Sequence, residues 1–332
     1  LDGPGYAIPD PVPRGRLPSP PPPTPLAPVP GQPAGGDYEY DWVGNRIHPP
    51  ADPNPMVYND GDQLVRWPGM YRYSYDGAGN LVQVKNDSQT QVLKSYTYTP
   101  AGLLATATYK DKDGQTRTLS NNWDADSNRV GMNANGTAYA FVYDTTAGIP
   151  AVIEESTLGT TAYYIREPGG SLIARLDSTN GTRYYHFDEL GSTRLLTDAN
   201  GAVTDRYTYD AYGSLLSHDR YSGSVSQPYQ YVGQLGYYTQ YQEPEFGLLQ
   251  LGVRFYDPKV GRFTSRDAFP ADRETSYAYV RNQPTVLTDP KGLLPTFFPG
   301  SSCDASARSA ARWANRMIGE VAKQFPEAGI DT

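Results

Sequence analysis

Between residues 37 and 256 apolar and polar positions alternate with a period of two, in short runs punctuated by Asp and Gly. "YEYDWVGNRI" (Tyr38–Ile47), "YSYDGAGNLV" (Tyr73–Val82), "YTYTPAGLLA" (Tyr96–Ala105) and "YTYDAYGSLL" (Tyr207–Leu216) are copies of one template, Tyr-x-Tyr-Asp-x-x-Gly-x-Leu. Weaker copies stand at "NWDADSNRV" (Asn122–Val130), "FVYDTTAGIP" (Phe141–Pro150) and "YYHFDELGSTRLL" (Tyr184–Leu196). Side chains alternate across a strand, so Tyr-x-Tyr puts two rings on one face. The Asp that follows can close an Asx-type turn on nearby amides, and the Gly supplies the positive φ such a turn needs. The next hydrophobic pair opens the returning strand. Each copy therefore reads as a β-hairpin with a Tyr ladder on one face.

A single hairpin is unstable in water, so the copies must stack into a continuous sheet. The repetition dictates the architecture. Its intervals are uneven, which predicts a mainly β fold: hairpins in a coiling sheet with variable loops. Residues 1–36, including "PVPRGRLPSPPPPTPLAPVPGQPAGG", read instead as a Pro-rich disordered or semi-rigid linker that buries no core. After Leu293 the repeats stop. "LPTFFPGSSC" reads as a loop, and "DASARSAARWANRMIGEVAKQFP" predicts a helix over about residues 304–325. Asp304 is its N-cap; Ala310, Trp313, Ala314, Met317, Val321 and Phe325 share a face; Pro326 ends it.

Composition fits this picture. Tyr numbers 28 against 9 Phe, and Gly 33 and Pro 30 supply turns between short strands. A formal net charge of −8 argues against a nucleic-acid binder, which carries a basic face. The single Cys303 excludes an internal disulfide framework, and the tail that holds it has no His to activate it. His48, His186 and His218 are scattered without metal-ligand spacing, so no metal and no cofactor is expected. No apolar run is long enough to span a membrane. The chain begins at Leu1 with no signal-peptide pattern and reads as a fragment or a processed product.

The Tyr-Asp template resembles the YD repeat of the Rhs and YD-repeat family, which includes polymorphic bacterial toxins, the C component of Tc insecticidal toxins and the animal teneurins. More specific pieces lie in residues 229–293: "GVRFYDPKVGRFTSRD" (Gly252–Asp267), "YAYVRNQP" (Tyr277–Pro284) and "DPKGL" (Asp289–Leu293). They resemble the Rhs-associated core. In Tc C components and many Rhs toxins that core is an intramolecular aspartyl protease that cuts after its Asp-Pro-x-Gly-Leu turn. The resemblance implies that Asp267 and Asp289 are the two aspartates, that Arg254 is the core arginine, and that the scissile bond is Leu293–Leu294. This chain departs from the pattern at the first aspartate, where "RDAFP" lacks the usual Pro and Gly, and Asp272 and Glu274 are neighbouring acids.

Such chemistry needs two close carboxylates that share one proton, the ionised one drawing a proton from water and the protonated one donating to the carbonyl of Leu293. Arg254 would orient a carboxylate or offset developing charge. From residue types alone, "YDPKVG" and "TDPKGL" equally suit plain type I turns.

The resemblance further implies a division into linker (1–36), YD-repeat sheet (37–228), core (229–293) and variable tail (294–332). It implies a secreted or cell-surface bacterial shell, part of a hollow β-cocoon whose core plugs one end. The shell's partner would be its own C-terminal effector segment, severed by the cut, with an upstream shell section, a delivery component or an immunity protein as further partners in interbacterial competition. The rival reading is a non-enzymatic surface or adhesion scaffold built from the same repeats.

Overall fold

The computed structural model describes residues 38–48, 54–146, 149–267, 276–293 and 296–297. The Pro-rich segment 1–36, the helix expected near 304–325, and Asp272, Glu274, Leu294 and Cys303 lie outside the described residues. Sixteen strands, from Val57–Tyr58 to Leu215–Arg220, form one antiparallel sheet that does not close, and each strand pairs with its neighbours in sequence. This is the mainly β, hairpin-built sheet that the repeats predict.

The turns show why the template has its form. Asp76 Oδ1 accepts the amides of Ala78 (2.9 Å) and Asn80 (2.8 Å), and Gly79 sits at φ 88°. The Asp76 amide then donates to the Asn80 carbonyl (2.9 Å), which closes the loop. Asp124, Asp198 and Asp210 repeat the same set of contacts. In three of the four strong copies the last Tyr faces the returning Leu: Tyr75 opposite Leu81, Tyr98 opposite Leu104, Tyr209 opposite Leu215; in the first, Tyr40 faces Arg46. In two of these copies that Tyr also ties the hairpin to the one before. Tyr75 Oη donates to the Leu64 carbonyl (3.1 Å) and Tyr98 Oη to the Leu81 carbonyl (3.0 Å), and in the weaker copy Trp123 Nε1 does so to Leu104 (2.9 Å).

One face of the sheet is the core side. Tyr73, Tyr96, Tyr109, Tyr164 and Tyr207 are buried there. They share one cluster with Tyr229, Tyr238, Phe246 and Phe255, so the segment after the repeats packs along the sheet's inner face. That segment carries its own small antiparallel sheet of Tyr238–Thr239, Leu249–Leu251, Arg254–Asp257 and Arg262–Phe263. It locks to the repeats through backbone: the Leu81 amide donates to the Thr264 carbonyl (2.8 Å), and Tyr277 Oη donates to the Gly79 carbonyl (2.7 Å). No helix among the described residues is long and apolar enough to cross a membrane.

Candidate active site

Arg254 opens the third strand of the small sheet, and its side chain is buried under the turn that starts at Asp289. A buried guanidinium requires partners for its five donors. Nη2 lies 3.0 Å from Asp267 Oδ2 and 3.6 Å from Asp289 Oδ2, which bounds the separation of the two carboxylates by the sum of those distances. Nη1 donates to the Ser276 carbonyl (3.3 Å) and Nε to the Gly292 carbonyl. The guanidinium carbon stands 3.6 Å from the ring centroid of Phe263. Burial lowers the Arg254 pKa from its usual value, with Asp267 and Asp289 pulling the other way; an arginine remains charged under such opposing influences.

The turn is placed by two glycines packed backbone to backbone. Gly292 has φ +65°, and a Cβ there would stand 2.2 Å from the Leu251 carbonyl oxygen; a Cβ on Gly252 (φ +51°) would stand 2.3 Å from that of Lys291. Inside the turn, Gly292 N–H donates to the Asp289 carbonyl (3.1 Å) and Leu293 N–H to Asp289 Oδ1 (3.0 Å). These are the Asx contacts of the repeats. One contact differs: the Asp289 amide donates to Tyr237 Oη (2.6 Å), and Tyr237 Oη in turn meets Tyr279 Oη (2.9 Å). Tyr237 and Tyr279 are fully buried, and burial raises both hydroxyls well above their usual pKa, so they stay neutral.

Asp289 is almost fully buried, whereas the Asp267 side chain keeps 13% of its surface exposed. Asp267 lines an open cleft of about 780 Å³ together with Arg254, Val253 and Leu293, with Tyr96 and Tyr98 of the repeats opposite. Leu293 also borders a smaller cavity of about 210 Å³ on its other side, against Ile149, Pro150 and Val152. Three sequence-nominated side chains, Arg254, Asp267 and Asp289, thus come together next to Leu293; Leu294 is outside the described residues. A guanidinium placed between two carboxylates offsets their mutual repulsion, an arrangement different from a bare pair sharing a proton. Tyr237 carries no signal of its own, since "GYYTQY" looks like an ordinary repeat segment until the turn at Asp289 packs on it; Gly252 and Phe263 lie inside the specific piece Gly252–Asp267, but nothing there marks their contacts with the turn and with Arg254.

No group of three or more metal-ligating side chains occurs among the described residues. His218 meets Asp205 Oδ1 (2.8 Å) and stacks on Tyr207, and His186 meets Thr197 Oγ1 (2.9 Å), both on strands.

Comparison with known proteins gives three findings. The Teneurin YD-shell family matches residues 26–287. The toxin subunit YenC1 of Yersinia entomophaga is 42% identical over 62 residues, which is 18% of this chain and 6% of that protein. Among solved structures, a crystal structure of TcdB2-TccC3-Cdc42 (17% identity, TM-score 0.47) covers 77% of this chain and 17% of the other. The Photorhabdus luminescens Tc holotoxin pore (18% identity, TM-score 0.46) covers 81% and 17%. This chain thus spans a small part of the length of the proteins it matches.

Proposed function

The chain belongs to the teneurin YD-shell family, and from that premise we propose that it is a section of a toxin-type YD shell that cuts its own backbone between Leu293 and Leu294. The observation that carries this reading is the Arg254 guanidinium, which touches both aspartates and the carbonyl of Gly292, one residue from the bond to be cut. The roles divide by exposure. Asp267, on the open cleft, is the base that water reaches. Asp289 holds the Leu293 amide and fixes the peptide against the site. Arg254 supplies the positive charge toward which a developing oxyanion turns.

In this scheme water attacks the Leu293 carbonyl carbon and its proton passes to the Asp267 carboxylate. The tetrahedral intermediate then collapses with rupture of the C–N bond, and Asp267 returns the proton to the departing nitrogen of Leu294. One water is consumed, and a carboxylate at Leu293 and an amine at Leu294 result. The tail from Leu294 onward would leave the chain as the effector segment, retained by the shell until release, in a secreted or cell-surface setting. Delivery components, an upstream shell section and an immunity protein follow from the same reading.

The test is intact-mass measurement of the full chain and of Asp267→Asn, which removes the base. A wild-type product ending at Leu293 together with an uncut variant supports the proposal. A wild type that stays uncut sinks it and favours the adhesion-scaffold reading. Acid scission at Asp289–Pro290 would give a product shorter by Pro290–Leu293 and is distinguished by mass.

A further inference from the structure

In the repeat turns the first residue closes the loop by donating its own amide to the carbonyl four residues on. Asp41 to Asn45 (2.9 Å), Thr99 to Leu103 (2.8 Å), Asp111 to Gln115 (2.9 Å), Asp188 to Ser192 (2.9 Å) and Asp210 to Ser214 (2.9 Å) all do so. In the turn at Asp289 the corresponding acceptor would be the carbonyl of Leu293, the acyl half of the bond proposed to be cut. There the Asp289 amide is taken by Tyr237 Oη instead, at 2.6 Å.

The register records the consequence. Tyr75, just before its turn, faces Leu81, six residues on; Thr288, just before Asp289, faces Thr296, eight residues on. The loop at Asp289 is therefore two residues longer. A carbonyl tied to the turn's own amide passes directly into the returning strand, where its peptide is held in the ladder. Without that tie the Leu293 carbonyl is not spent on closing the turn, and Leu293 lines the cleft with Arg254.

We propose that Tyr237 is a positioning residue for the self-cleavage proposed above: by capturing the Asp289 amide, its hydroxyl prevents this YD turn from closing and so presents the Leu293 carbonyl for attack. Tyr237 stands immediately before the strand Tyr238–Thr239, so the pleat sends Tyr238 to the repeat sheet and Tyr237 to the turn. Its oxygen accepts from Asp289 and also meets Tyr279 Oη at 2.9 Å. Tyr279 is thus the second buried hydroxyl of the pair, one step removed from the turn. The inference rests on the self-cleavage reading.

The experiment follows the rate of cutting in cis. The full chain is pulse-labelled in cell-free synthesis and chased by intact mass, as wild type, Tyr237→Phe and Tyr279→Phe. Each variant removes one buried hydroxyl from the same pair. Positioning by Tyr237 predicts at least tenfold slower cutting for Tyr237→Phe and a rate within threefold of wild type for Tyr279→Phe. Equal slowing in both, or a wild-type rate in Tyr237→Phe, overturns the inference while leaving self-cleavage intact. A wild type that never cuts overturns the self-cleavage reading and this inference with it.

Folding is checked by a cooperative urea transition. If Tyr237→Phe lacks one, site-specific 3-fluorotyrosine, nearly isosteric and a weaker acceptor, takes its place at 237 and, as control, at 279. Slowing at 237 alone supports the inference, and equal rates at both positions overturn it.

Discussion

Replacing Arg254 with Met keeps most of the side chain's length against Phe263 and removes its charge. At an effective dielectric of about 20, a pair of unit charges at 3.0 Å is worth about 5.5 kcal/mol and one at 3.6 Å about 4.6 kcal/mol before desolvation. Most of that is offset by the cost of burying the ions, so intact pairs contribute little net stability, while removing one partner costs about 3–5 kcal/mol. The variant has an escape that limits the loss. One carboxyl can bind a proton, and from an ordinary carboxyl pKa of about 3.9 this costs about 4 kcal/mol at pH 7.

A destabilisation of about 3–4 kcal/mol at pH 7 is therefore expected. Between pH 4 and 7 the variant's folded state would hold a proton that its unfolded chain has lost, so its stability must fall as pH rises. Each unit of acidification recovers about 1.4 kcal/mol, and the deficit should drop below about 2 kcal/mol at pH 5. Urea titrations of both chains at pH 5 and pH 7, with intact mass checked beforehand, measure it. A deficit under about 1 kcal/mol at pH 7, or the same deficit at both pH values, would refute the view that Arg254 is the counter-charge of the two aspartates.

Three further outcomes follow from the turns and the ladder. Gly292→Ala, with φ +65° and a Cβ 2.2 Å from the Leu251 carbonyl oxygen, should cost about 2–4 kcal/mol in urea unfolding and stop cutting, whereas Gly102→Ala, at φ +79° in open space, should cost about 1 kcal/mol. Tyr98→Phe leaves the Leu81 carbonyl without its hydroxyl donor and should lose about 1 kcal/mol, against less than about 0.5 kcal/mol for the exposed Tyr221→Phe. The Asn128 amide holds the Asp124 carboxyl below its ordinary pKa, and the Thr146 hydroxyl and amide do the same for Asp144. Their contribution is present above the ordinary carboxyl value and disappears as pH falls through the lowered one. Asp124→Asn should accordingly be less stable than wild type at pH 7, and the two urea midpoints should converge once acid has protonated the native turn.

The hairpins were legible because each copy writes its own local instruction. Two rings on one face, an Asp to cap and a Gly to turn all act within ten residues of one another, as Tyr73 to Leu81 does. The tie between hairpins was not legible, since the Tyr98 hydroxyl reaches the carbonyl of Leu81 across seventeen residues, and nothing in the template marks which carbonyl it finds. Arg254, Asp267 and Asp289 could be nominated by likeness to a family pattern. Composition and spacing did not foretell that one guanidinium would stand between the two acids, because that depends on the small sheet delivering Arg254 beneath a turn thirty-five residues later. Tyr237 had no signal of its own among 28 tyrosines. What sets it apart is the Asp289 amide it meets.

The repeat turn also shows where a function can be added to such a shell. An Asp that caps a turn is structural wherever it recurs, and Asp289 Oδ1 on the Leu293 amide is the same contact that Asp76 makes with Asn80. The aspartate alone therefore separates nothing. What separates this turn is what surrounds it: a cation on its second carboxylate oxygen, a hydroxyl on its amide, and a second acid on an open cleft. Each comes from a different part of the segment after the repeats. A scaffold turn becomes a candidate reaction centre by gaining neighbours from the folded core, with no change in its own residue types. Loss of cutting in a related shell is then expected at Arg254 or Tyr237 as readily as at Asp289, and such a shell would keep the turn, its glycine and its fold.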